Sequence, residues 1–229
     1  MSEWWTYRLS DLLPFSPQTY YRLLELYNRE IWPLQVLALV LGAAAAVLVF
    51  RRRQERAVSA ILAASWMWVA WAYHLHRYAT ISWAATWFGA AFAVQAALLI
   101  WKGVIRGRLI YWAKKSLRKR VGFILLVFAL LIQPLTGRLA GASWAQVELF
   151  GIAPDPTVIA TLGVLLTAER VPLTLMIIPV LWCGISGAVL WAMTSPVAFV
   201  PPLAALVGLV SMISRGKNRS ISPENADKI

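Results

Sequence analysis

Apolar residues gather along this chain in seven blocks, at 31–50, 57–76, 83–101, 121–140, 156–168, 171–193 and 196–213. Polar and charged residues mark their ends, and the first block stops at Arg51, Arg52 and Arg53. A helix rises 1.5 Å per residue, so about 20 apolar residues cross the ~30 Å hydrocarbon layer of a bilayer. Six blocks meet or approach that length, while the fifth is short. The pattern predicts an all-α integral membrane protein, a bundle of about seven transmembrane helices.

Residues 16–31, SPQTYYRLLELYNREI, follow another rhythm. Tyr20, Leu23, Leu24, Tyr27 and Ile31 fall on one helical stripe, with Gln18, Arg22, Glu25 and Arg29 elsewhere. Ser16 is a suitable N-cap and Pro17 a suitable first helical residue. Such a helix is expected to lie on the membrane interface, as an anchor or a collar around the bundle. The organisation that follows is an outer N-terminal segment over 1–30 carrying the interfacial helix 16–31. A single transmembrane domain over 31–213 comes next, then a disordered tail over 214–229 on the inner side.

Composition reinforces the membrane reading. The chain is 60% hydrophobic and 14% charged, with a mean hydropathy of +0.64. Soluble domains are about half apolar and about a quarter charged. The net charge of +12 would raise nucleic acid as a partner, but its placement points elsewhere. Lysine and arginine concentrate at 51–56, at 102–120, at Arg170 and after 213. With a start poor in positive charge, this puts the N-terminus outside and the C-terminus inside. Arg51, Arg52, Arg53, Lys114, Lys115, Arg118, Lys119 and Arg120 then become candidate contacts for anionic lipid headgroups on the cytoplasmic side. No nucleic-acid partner is expected. The one cysteine, Cys183, excludes an intramolecular disulfide and a zinc site of several thiolates.

Candidate chemistry is sparse. No nucleophile–base pair, phosphate loop or metal spacing is visible, so neither a catalytic role nor a cofactor is expected. His74 and His76 stand at the outer end of the second block, two residues apart and on different helix faces. They read as hydrogen-bonded imidazoles at a polar helix end, with metal or haem ligation the alternative. Gln95 and Gln133 need partners in hydrocarbon and are expected to tie helices together. In LFGIAPDPTVIATLGVLL, Asp155 is expected to cap the fifth helix, with Pro156 at its first position. Either the bilayer thins around this short helix, or it begins below the outer surface with GIAPDP dipping inward. Backbone at that depth must be buried in protein or line a wet cavity.

FSPQTYYRLLELYNREIWPLQ, YHLHRYATISWAATWFGAAFAVQAALL and FGIAPDPTVIATLGVLL followed by IPVLWCGISG resemble, in order and spacing, a family of uncharacterised bacterial multi-pass membrane proteins sometimes labelled permease-like. The resemblance implies a bacterial inner membrane, with the N-terminal segment in the periplasm. Three functions compete. A small transporter or channel would use an outward-facing site drawn from His74, His76, Gln95, Glu148, Asp155 and Thr157. A non-catalytic accessory or scaffold subunit, with membrane-protein partners, would suit the lack of catalytic motifs. A lipid or quinone enzyme would need His76 and Glu148 close together.

Overall fold

The computed structural model describes residues 13–51, 54–111, 116–139 and 141–213. Among these the chain forms eight helices and no strand. They are α1 (Pro17–Glu30), α2 (Leu34–Arg51) and α3 (Glu55–Trp68, continuing through a π-helical Val69–Leu75). Then come α4 (Ala85–Leu99, continuing through Ile100–Ile105) and α5 (Leu117–Val127, through Phe128–Ile132 to Gln133–Leu139). The last three are α6 (Pro154–Thr167), α7 (Leu173–Ala192) and α8 (Val200–Ile213).

The seven apolar blocks each become a helix. Five of them, α2 to α5 and α7, are long and apolar enough to cross a membrane. α6 and α8 are shorter, at 14 residues each. The last helix begins at Val200 rather than at 196, because the chain from Ser195 to Val200 runs in turns.

Successive neighbours close a ring: α2 packs on α3, α3 on α4, α4 on α7, α7 on α8, α8 on α5, and α5 on α2. α6 runs down the middle, against α3, α5, α7 and α8. Every residue from Pro154 to Thr167 is buried. Its polar residues, Asp155, Thr157, Thr161 and Thr167, are buried with the apolar ones, so no face of the helix is exposed.

α1 forms as the stripe predicts. Ser16 Oγ accepts from Thr19 N at 3.2 Å, and Pro17 opens the helix. Tyr20, Leu23, Leu24 and Tyr27 are buried, so the stripe faces the bundle and α1 acts as a collar at one end of it. The opposite end carries Arg51, Arg56, Lys102, Arg118 and Arg120, at the starts or ends of α2 to α5. Of the headgroup candidates, Arg51 and Arg120 are exposed at this basic end and Lys119 is half-buried. Arg118 departs from expectation. It is buried and donates to the Ala168 carbonyl at 2.6 Å and the Glu169 carbonyl at 3.2 Å, closing the C-terminus of α6. Arg52, Arg53, Lys114 and Lys115 lie outside the described residues, as do residues 1–12 and the tail 214–229.

Candidate functional site

The site begins with where α6 starts. The helix opens at Pro154, with extended Ala153 ahead of it, so Asp155 is inside the first turn and is not the N-cap. Its carboxylate turns away from the helix's own N–H groups. Oδ1 accepts from Trp182 Nε1 and Oδ2 from Ser186 Oγ, both at 2.7 Å. These donors lie near the middle of the 20-residue α7. Asp155, 5% exposed, therefore sits inside the bundle, against the C-terminal half of α7. The chain just ahead of this short helix, Phe150 to Ala153, is buried in the protein.

The segment 147–153 satisfies its backbone inside the protein. Gly151, at φ +81°, turns where a Cβ would sit 3.3 Å from both the Ala38 side chain and Ser65 Oγ. Its N–H donates to Thr157 Oγ1 at 2.8 Å, and Thr157 Oγ1 donates to the Ala153 carbonyl at 2.7 Å. Thr157 thus holds the bend together. The collar helix pins the same segment from the other side. Tyr27 donates its hydroxyl to the Ile152 carbonyl at 2.9 Å, and Asn28 donates its amide to the Ala145 and Val147 carbonyls.

Between the collar, the bend and the ends of α5, α7 and α8 lies a cavity of about 60 Å³. Glu148 and Asp155 both line it, with Tyr20, Gln133, Thr136 and Gln146, and among the described residues no Lys, Arg or His is in its wall. Tyr20 donates its hydroxyl to Glu148 Oε1 at 2.9 Å and accepts from Tyr73 at 3.3 Å. Burial and, after it, the charge on Asp155 push the Glu148 carboxyl above the usual carboxylate range, against the opposing hydrogen bond from Tyr20. The Gln133 amide borders the cavity on an 8% exposed residue, and its Oε1 is buried without a hydrogen-bond partner. Arg138, the nearest arginine in sequence, is engaged with the Ala142 carbonyl and the face of Trp144.

A smaller cavity of about 20 Å³ touches Asp155 from the side of Tyr73, Tyr78, Phe88 and Trp182. Behind those rings sits His74. It is fully buried, and neither ring nitrogen has a hydrogen-bond partner. The expected hydrogen-bonded imidazole is not what forms. The π-helical stretch turns Ala72, Tyr73 and His74 inward together, and the imidazole meets the rings of Phe92 and Trp182, at centroid distances of 4.6 Å and 5.1 Å. His76 is exposed, edge-on to Trp71, and does not line the cavity.

Of the six residues singled out from sequence, the cavity joins two, Glu148 and Asp155. Gln95 instead ties α4 to α7 through the Leu175 carbonyl, 3.0 Å from its Nε2. Tyr20, Tyr73, Trp182 and Ser186 were not anticipated. Tyr20 carried a signal, a polar hydroxyl on the buried stripe of α1, and Gln133 carried another as an uncompensated amide. Trp182 and Ser186 carried none, because their meaning depends on which helix faces them. Among the described residues no three His, Cys, Asp or Glu side chains converge as a metal-holding group.

No curated protein and no solved structure matches the chain. A family of unknown function, DUF6064, matches residues 17–222, nearly the whole of it, and the chain belongs to that family.

Proposed function

We propose that the protein is a small permease-like transporter of a bacterial inner membrane. On this reading α2 to α8 are its seven crossings, with α1 on the periplasmic surface. The basic end faces the cytoplasm, where its lysines and arginines are retained during insertion and where Arg51 and Arg120 meet anionic headgroups. The reading is supported by five helices of spanning length and by the burial of the shorter α6 within a protein ring.

One observation carries it: Asp155, held inside the bundle by Trp182 and Ser186, borders a cavity beneath the collar that Glu148 also lines. A carboxylate at that depth is expensive, and ionisable groups inside membranes mark substrate and ion paths. Carriers commonly form their sites where a helix is interrupted near the bilayer midplane, and the 147–153 bend into α6 has that form.

The test is flux into proteoliposomes containing the purified chain, across a panel of inorganic ions and small polar solutes. Uptake above protein-free vesicles, lost in Asp155→Ala, is the expected outcome. No uptake of any solute, or equal uptake by Asp155→Ala and wild type, would sink the transporter reading. Recovery of the chain in a fixed ratio with other polypeptides by native mass spectrometry would favour an accessory subunit.

A further inference from the structure

Another face of α1 borders a second, larger hollow. It is an open groove of about 480 Å³ between α1 and the short turn Tyr78–Thr80 that joins α3 to α4. Thr19, Arg22, Leu23 and Leu26, at helical spacing on α1, form one wall, and Arg77 and Ile81 stand in the other. Sites for small organic molecules run from about 300 to about 1,000 Å³, so this groove is of binding size.

Its lining has an apolar part and a charged part. Leu23 and Ile81 are largely covered, while Leu26 is 49% exposed and leaves the apolar strip open to the outside. The chain leaves α1 through Trp32 and leaves the turn through Trp83, and these indoles are 67% and 76% exposed. Exposed indoles of this kind settle at the headgroup level of a bilayer. The groove therefore lies between two segments that both end in interfacial anchors.

Charge narrows what the polar part accepts. Arg22 and Arg77 are in the wall, and no Asp or Glu is among its described lining residues. The ion pairs around them do not balance. Glu25 is shared by Arg22 at 3.0 Å and Arg29 at 2.7 Å, and Glu30 pairs with Arg77. Three arginines thus meet two carboxylates, leaving one positive charge over on this face. Exposed pairs hold weakly, and a guanidinium has five N–H donors in a fork that fits a phosphate. A free phosphate would use the arginines and ignore Leu26 and Ile81. A phospholipid uses both.

We propose that the groove binds an anionic phospholipid of the outer leaflet. Its phosphate is drawn to Arg22 and Arg77, and its first acyl methylenes lie on Leu23, Leu26 and Ile81. A lipid so placed ties the collar to the turn between α3 and α4. This site depends on the membrane placement proposed above, with α1 at the periplasmic surface, and not on transport.

The test is photo-crosslinking of the full-length protein in phosphatidylcholine vesicles. They carry, as a minor component, phosphatidylglycerol with a diazirine near the top of one acyl chain. Adducts are mapped by mass spectrometry. Peptides covering 18–26 and 77–81 are expected to be enriched over peptides of α2, whose exposed face, including Val36 and Val40, serves as an internal control. In the double variant Arg22→Gln, Arg77→Gln, groove adducts are expected to fall to about a tenth or less, with α2 adducts unchanged. Leu26→Asp, at an exposed position, is expected to lower them as well. Unlabelled phosphatidylglycerol is expected to compete, and inorganic phosphate is not.

Groove labelling no higher than on α2, or equal in wild type and the double variant, would overturn the proposal. Competition by added phosphatidylcholine as effective as by phosphatidylglycerol would overturn the anionic class, and competition by inorganic phosphate would overturn the lipid as its source. Adducts on α2 without enrichment in the groove would end this inference and leave the membrane placement standing. Failure of the chain to enter vesicles, with no adduct on any helix, would remove that placement and the proposal with it.

Discussion

The two ends of α6 are built on opposite principles. Toward the basic end the helix meets α5 through glycine. A Cβ on Gly163 would lie 2.6 Å from the Gly122 carbonyl oxygen and 2.7 Å from the Leu126 nitrogen, and one on Gly122 would lie 2.6 Å from the Gly163 carbonyl oxygen. The two backbones touch with nothing between them, and Arg118 closes the helix on its final carbonyls. Toward the collar the same helix begins at a bend, presents a carboxylate, and stands beside a cavity. One half is sealed by backbone contact. The other is held open by hydrogen bonds from Tyr20, Tyr27 and Asn28 on a separate helix. On the transporter reading proposed above, this is a state closed at the basic end, with its site under the collar.

The seal gives the largest expected effect. Gly163→Ala places a methyl group against backbone atoms that cannot rotate away. Overpacking of this kind costs about 1–3 kcal/mol and occasionally more, and the backbone contact puts this variant at the upper end. Thermal unfolding of the purified variant, followed by circular dichroism, checks it. A melting temperature equal to wild type would show that the two helices are not in backbone contact.

Asp155 gives a middle effect. Asp155→Leu leaves Trp182 Nε1–H and the Ser186 hydroxyl without their acceptor, at about 1–3 kcal/mol for such buried groups. The neighbouring cavity can admit water to them, which pulls the cost toward the lower figure. The comparison therefore predicts less destabilisation from Asp155→Leu than from Gly163→Ala in the same melting experiment. The reverse order would mean that Asp155 holds the fold together more than it serves the cavity.

The elements of the fold were largely legible in the sequence and its centre was not. Periodicity marked α1 to within a residue, because Ser16, Pro17 and the stripe from Tyr20 to Tyr27 are local signals. The apolar blocks marked the other seven helices. Which of them lay inside was hidden, since apolar residues serve equally against lipid and against protein. The hint was there in the fifth block, which is short and carries Thr157, Thr161, Gly163 and Thr167. These are residues that suit close helix neighbours more than lipid. In the structure Thr161 accepts from Trp66 Nε1 at 2.8 Å, across the gap between α6 and α3. Asp155 was expected to cap α6 and instead accepts from two side chains of α7. An aspartate before a proline is ordinarily a cap, and only the arrival of α7 alongside turns its carboxylate to Trp182 and Ser186. The three π-helical stretches had no sequence signal, and with them went the inward turn of His74.

The smallest effect is the most particular to the cavity. Glu148→Gln keeps the shape and the hydrogen bond from Tyr20, and removes only the ability to ionise. Near neutral pH its effect on stability is expected within about 0.5 kcal/mol, as for most substitutions outside a packed core. The pH dependence is where it differs. Burial and the neighbouring Asp155 raise the Glu148 carboxyl in the folded protein, so the fold holds that proton more tightly than the unfolded chain does. By linkage, its stabilisation is fully present below the ordinary carboxylate range and is lost as pH rises through the raised value. Wild type should thus lose melting temperature on going from mildly acidic to alkaline buffer, and Glu148→Gln should lose less. Gly163→Ala, whose defect is steric, should keep the wild-type slope at a lower temperature throughout. Parallel curves for wild type and Glu148→Gln would show that the carboxylate is hydrated in the folded state, and the contrast between a sealed half and a charged half would lose its electrostatic part.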